Sequence, residues 1–386
     1  MVSIGCGLST ARDARAGAAE AAAAARRGLG GEPCDLAVVF AAGNHLAAPE
    51  ATLEAIHDAL EPEDLVGCGA AGVLAHGREV EDGTSVAVWA ASLPEDGART
   101  FHATVQEVEG GGALAGMPDL EGATGAILLA ESRSFPTDPV LRFLAGAVPG
   151  VPIMGGVASA STHDGSGALF LGDEVLDEGA VGVRLQGVEV LPCVSQGAAP
   201  VGPELTITAA EGNVISELAG KPALTKVRET LDALPASERE MLSGGLLLGI
   251  VISSGKPDFV QGDFLVRGLV GADPQDGSIA VGLPVHAGQV VRLHARDAVS
   301  ADRDLRDALG VRMLALGGEP PAGALVFSCN GRGRGMFGSR DHDAEAVDQE
   351  LAGAPAAGFF AAGEIGPVGG ESFLHGFTAT VAVFPA

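Results

Sequence analysis

GALVFSCNGRG, residues 323–333, sets a short apolar run directly against a polar turn built on glycine. A run of this kind bounded by glycine suits a strand buried on both faces, as in a sheet covered by helices. A helical stretch over 343–351 follows. AAGFFAAGEIGP (356–367) is then a second apolar strand entering a glycine turn, and LHGFTATVAVF (374–384) is a returning strand. The same order recurs upstream. DLAVVFAAGNH (35–45), LVGCGAAGVL (65–74) and EDGTSVAVWAASL (81–93) make one copy; GAILLAESRS (125–134), VPIMGGVASAS (151–161) and DEGAVGVRL (177–185) make another. A degenerate fourth copy is read over 246–295, from GLLLGIVISSG, FLVRGLVGADP and HAGQVVRLHA. Self-similarity at this level reports a repeated supersecondary unit. The fold class expected is therefore α/β: two similar halves built from repeated strand-helix-strand-strand units, with layered sheets flanked by helices. The break is expected near PCVSQGAAPVGP (192–203), dividing the chain into domains over 1–196 and 197–386.

Outside the repeats, residues 11–27 read as an alanine-rich helix with Arg26 and Arg27 in its last turn and Gly28 as its stop. Residues 221–234 and 299–316 carry apolar side chains at helical spacing, the second behind Ser300 as a cap. The first strand is expected at 35–45.

Composition narrows the function. The 386 residues carry 23 basic and 50 acidic side chains, a formal charge of −27 that repels phosphate backbones and anionic lipid headgroups. No nucleic acid and no membrane surface is an expected partner. Trp89 is the single Trp and there is no Tyr, which leaves little for stacking bases or sugars. The five cysteines are scattered, odd in number and without a C-x-x-C, which fits a reducing compartment better than a disulfide framework or zinc site. With no basic start leading into an apolar run, and no long uncharged apolar stretch, the expected location is the cytoplasm.

Chemistry concentrates at strand ends in the second half. Glycines at 331, 333 and 335 expose backbone amides, and Arg332 and Arg334 offer planar forks to carboxylate or phosphate. The pattern is neither a Walker loop nor G-x-G-x-x-G. Two readings of these arginines stand together: a ligand clamp, or pairing with Asp341 and Asp343. Glu364 sits in the GEIGP turn, where it would take an amine or guanidinium. His375 lies in an otherwise apolar run. DHD (341–343) lacks a second cluster with ligand spacing, so no metal and no cofactor is expected. Asp263 and Arg267, like His294 and Arg296, share a strand face. Cys329 follows a strand as a nucleophile would, with His342 or His375 as base and Glu364 or Asp343 to orient it, which keeps a cysteine-dependent hydrolase or transferase open. An acidic scaffold that binds a signalling protein is the third reading. Ser159, Ser161 and Thr162 offer hydroxyls beside glycine, as either ligand contacts or turn formers.

With these motifs assembled, the chain resembles FIST proteins, a FIST N-terminal domain followed by a FIST C-terminal domain. The first half is similar through AAEAAAAARRGLGGEPCDLAVVFAAGNH, LVGCGAAGVL and GTSVAVWAASLP. The second half is similar through LVRGLVGAD, VVRLHARDA, FSCNGRGRGMFG, GFFAAGEIGPVGG and FLHGFTATVAVF. The resemblance implies a sensory, small-ligand-binding module of signal transduction, with an amino acid or derivative as ligand, and not an enzyme. It implies the stand-alone type, since the stretch ahead of the first expected strand is short for an F-box. One departure is that Gly69, Ala70 and Ala71 follow Cys68 where small hydroxyl residues are usual. Residues and resemblance converge on one expected site, formed by Cys329, Asn330, Arg332, Glu364 and His375 from three strand ends, with Arg267 and His294 also proposed. There Arg332 would grip a ligand carboxylate in bidentate fashion and Glu364 would hold its amine, with Asn330 and glycine amides completing the pocket.

Overall fold

A computed structural model describes residues 2–108, 111–163, 165–242, 245–252, 259 and 263–386. The chain forms two compact units, Met1–Val194 with Leu305–Ala386, and Ser195–Asp304.

The first unit holds three copies of the repeat. Repeat I is strand Leu36–Ala42, helix Pro49–Leu60, strand Asp64–Gly69, hairpin Val73–Ala75/Arg78–Val80 and return strand Ser85–Ser92. Repeat II is Gly125–Ala130, helix Thr137–Ala147, Ile153–Val157, hairpin Leu169–Leu171/Glu174–Leu176 and return strand Ala180–Leu185. Repeat III is Gly323–Cys329, helix His342–Glu350, Ala356–Ala361, hairpin Glu364–Val368/Glu371–His375 and return strand Thr378–Phe384. In each, the helix crosses over to make the two long strands parallel, and the return strand pairs antiparallel with the first. The expected α/β class with layered sheets and flanking helices holds, and both halves of the chain contribute such units.

The hairpins do not stay with their own repeat. That of repeat I extends the sheet of repeat III, Ala75 opposite Ala357. That of repeat II extends the sheet of repeat I, Leu169 opposite Cys68. That of repeat III extends the sheet of repeat II, Glu364 opposite Gly156. The exchange closes in a ring, so each sheet is finished by another repeat. The inner faces share one core. Phe40 of repeat I stacks on Phe359 of repeat III at 4.8 Å between ring centroids, Trp89 lies 5.2 Å from Phe384, and Ile127 and Met154 of repeat II belong to the same cluster. Helices cover the outer faces, which is why strands such as Leu36–Ala42 and Gly323–Cys329 are buried throughout.

Two expectations are corrected. The first strand is not at 35–45 but at Ser3–Ser9, paired antiparallel with Ser85–Ser92. Its SIGCGLS alternates Ile4, Cys6 and Leu8 with small residues, and the glycines on the small face serve a helix contact. A Cβ at Gly7 would lie 1.9 Å from the carbonyl oxygen of Ala21 in helix Ala14–Gly28. The degenerate fourth copy is not a strand-helix-strand unit. Leu246–Val251, Phe264–Ala272 and Val290–Arg296 pair antiparallel in the second unit, whose strand Ala198–Glu211 also pairs with Val214–Leu218 and closes the sheet on itself. Part of that stretch, 253–258 and 260–262, lies outside the described residues. Among the described residues no helix is long and apolar enough to cross a membrane.

Candidate functional site

The parallel strands Gly323–Cys329 and Ala356–Ala361 end side by side, and polar groups gather beyond their carboxyl ends, where α/β sheets place ligands. The turn after Cys329 is pinned twice: Asn330 donates its amide to Ala361 O at 2.9 Å, and Arg332 donates its own to Cys329 O at 2.8 Å. Gly333 takes φ +67°, and a Cβ there would sit 2.8 Å from Glu81 Oε2. This geometry turns the Arg332 side chain inward until it is wholly buried.

Arg332 meets Asp343 on the first turn of helix His342–Glu350. Nε donates to Oδ2 at 2.6 Å and Nη2 to Oδ1 at 2.9 Å, a bidentate fork. Ser328 Oγ donates to the same carboxylate at 2.7 Å, and His342 Nδ1 lies 3.0 Å from it. Burial alone would raise the Asp343 carboxyl, but Arg332, with His342 and Ser328, holds it well below the usual carboxylate range. Phe337 packs its ring 5.1 Å from the Arg332 guanidinium carbon and stacks on His342. Glu79, from the repeat I hairpin, holds the helix start: its Oε1 accepts the amides of Asp343 and Ala344 at 2.9 and 3.1 Å.

Glu364, fully buried, opens the repeat III hairpin, and its Oε2 accepts the Thr378 amide at 3.0 Å. The Cys329 thiol and the Arg332 charge both act on the same carboxyl. Burial dominates and pushes Glu364 up to about 8. Cys329 Sγ accepts amides from Gly331 and Phe377, each at 3.3 Å. Burial, then the neighbouring Glu364 charge, pushes the thiol up to about 12. A thiol held protonated is a poor nucleophile, which weighs against the cysteine-dependent hydrolase reading. Arg332 Nη1 and Glu364 Oε1 are both buried and have no hydrogen-bond partner among the described residues.

The structure thus brings Cys329, Arg332 and Glu364 together. His375 joins them in register, directly opposite Glu364 and on the same hairpin face, with Nε2 2.9 Å from Gly366 O. Asn330 stands beside them with its side chain exposed. The bidentate carboxylate partner expected to be a ligand is Asp343, so the pairing reading of Arg332 describes that edge of its fork. Arg267 and His294 lie in the unit Ser195–Asp304, not in the unit holding the other five. Arg267 Nη1 donates to Val266 O at 3.0 Å. His294 is fully buried against Phe264, and burial lowers it to about 4. Glu79 was not legible as part of this network. In REVEDG it reads as an ordinary charged surface strand, and only the exchanged hairpin carries it to Asp343.

The FIST N domain model matches residues 35–221 and the FIST C domain model matches residues 223–367. The chain is 44% identical over 382 residues to "Uncharacterized protein Rv0628c" of Mycobacterium tuberculosis (strain ATCC 25618 / H37Rv), covering 99% of each. It is 42% identical over 382 residues to "Uncharacterized protein Mb0898c" of Mycobacterium bovis, covering 99% of this chain and 98% of that protein.

Proposed function

The chain belongs to the FIST family, a FIST N domain followed by a FIST C domain, and from that premise we propose that it is a sensory module that takes a small amino acid or derivative at the Arg332–Glu364 cluster. FIST domains are generally sensory domains of signal transduction. The observation carrying the finer reading is the pair of buried, unpartnered atoms of opposite polarity, Arg332 Nη1 and Glu364 Oε1. A buried polar atom without a partner costs roughly 1–3 kcal/mol, and a ligand carboxylate on the one and an ammonium on the other would recover that cost. Because Asp343 already fills the other edge of the guanidinium, the ligand carboxylate meets Arg332 through Nη1 alone. Cys329, His375 and Asn330 flank the ligand. The module works in the cytoplasm, where its five buried free thiols stay reduced, and passes its signal to a protein partner.

A thermal-shift screen of the amino acids and their simple derivatives tests this reading. At ligand concentrations about 100-fold above Kd, linkage predicts a gain of about 2.7 kcal/mol, several degrees in Tm. Glu364→Gln, isosteric and uncharged, keeps the fold and abolishes the gain for ammonium-bearing hits. A screen without hits, or hits equally tight on Glu364→Gln, contradicts the reading.

A further inference from the structure

Away from the buried cluster, a hollow of about 260 Å³ opens beside the repeat I hairpin. Arg78, Glu79, Glu81, Asp82, Arg334 and Arg340 line it. Two of these acids and one arginine satisfy one another. Arg334 Nη2 lies 3.2 Å from Asp82 Oδ2, and the Arg334 amide donates to Glu81 Oε1 at 3.0 Å. Arg78 and Arg340 remain, exposed and with no carboxylate partner among the described residues. The three arginines and three acids of the lining balance, so in a chain of charge −27 this hollow is locally neutral and keeps two guanidinium groups uncommitted.

Glu79 sets the selectivity. It is 9% exposed; Oε1 is committed to the helix amides, and Oε2 is buried with no partner among the described residues. An occupant must offer acceptor oxygens to the arginines and at least one donor to that carboxylate oxygen. A fully deprotonated anion satisfies the first and meets Glu79 lone pair to lone pair. A simple cation does the reverse. We propose that this hollow binds hydrogenphosphate, its unprotonated oxygens on Arg78 and Arg340 and its single P–OH donated to Glu79 Oε2. Sulfate has the same shape and charge but no proton near neutrality. A phosphate monoester at pH 8 has likewise lost its proton. Both are refused for one reason, an acceptor facing an acceptor in a partly buried site. The Glu79 carboxylate that would read the proton also holds the amide of Asp343, the residue that grips Arg332, so the hollow abuts the buried cluster through a single side chain.

Isothermal titration at pH 8 and constant ionic strength tests the assignment. Burial first, then Asp343 and Glu81, raises Glu79 to about 7, so its carboxyl is ionised there. The probes are inorganic phosphate, sulfate and glycerol 3-phosphate. Phosphate binds, and the other two bind about a hundredfold more weakly or not at all, the cost of leaving a charged acceptor unpaired. Arg78→Met and Arg340→Met, both at exposed positions, keep the fold by circular dichroism and each weaken phosphate at least tenfold. Glu79→Gln puts an N–H where the lone pair was and shifts preference toward sulfate. No phosphate binding, equal binding of phosphate and sulfate, equal binding of the monoester, or undiminished binding in either arginine variant each overturns the proposal.

Discussion

Arg332 and Asp343 show how much one pairing decides. Both side chains are fully buried, and a buried ion pair gains its value from completeness rather than from net stability. Asp343→Asn, which leaves the guanidinium uncompensated, is expected to cost about 3–5 kcal/mol. Arg332→Met with Asp343→Leu removes both charges and is expected to recover most of that loss in denaturant melts. A double variant as unstable as the single one contradicts this account. Glu364 adds a pH signature. Its folded-state value of about 8 lies above the ordinary 4.5, so the folded protein binds the extra proton between those values. The contribution to stability is complete below pH 4.5 and is lost as pH rises through 8. Glu364→Gln should flatten that part of the profile in urea melts measured from pH 5 to pH 8.5; an unchanged slope sinks the assignment. At this scale the sequence was partly legible. CNGRGRG and GEIGP announced themselves as glycine turns carrying charge, and Asp343 stood among the possible partners of Arg332. Which partner wins depends on the inward turn at Gly333, and a sequence pattern does not contain that.

Elements were more legible than their partners. The apolar runs bounded by glycine marked the strands of all three true repeats, and helices appeared within a few residues of expectation: 221–234 as Ala223–Ala233 and 299–316 as Ala298–Ala315. Strand Ser3–Ser9 was missed because Gly5 and Gly7 are there for contact with helix Ala14–Gly28, not for propensity. Gly7→Ala is therefore expected to destabilise by about 1–3 kcal/mol through overpacking, though alanine is a better strand or helix former than glycine. Thermal melts read the outcome; a neutral Gly7→Ala would remove the packing explanation. The mistaken fourth repeat has a different cause. Leu246–Val251 is as apolar as a parallel strand, but its neighbours run antiparallel. Apolar runs do not report the direction of the strand beside them.

Across the molecule, the exchanged hairpins make the three repeats interdependent. No local signal records that exchange, because a hairpin's turn chemistry and apolar pattern do not name the sheet it joins. Phe359 stands where the consequence is largest, stacked on Phe40 and near Phe327 in the shared core. Phe359→Ala is expected to cost about 3–5 kcal/mol and to lower hydrogen-exchange protection in Leu36–Ala42 and Ile153–Val157 as well as in its own sheet. Loss confined to repeat III would mean the repeats unfold separately. The hollow beside Arg78 and Arg340 and the buried cluster of Arg332 and Glu364 both lie where one repeat meets another repeat's hairpin. The central claim is that Glu364 receives a ligand's ammonium, and its raised value provides the probe. At pH 7 the free carboxyl is mostly protonated, so an ammonium ligand must displace that proton. Calorimetric titration of a screening hit at pH 7, in two buffers of different ionisation enthalpy, measures it. The account predicts release of close to one proton per ligand in the native protein and none in Glu364→Gln; heats independent of buffer in the native protein would contradict it.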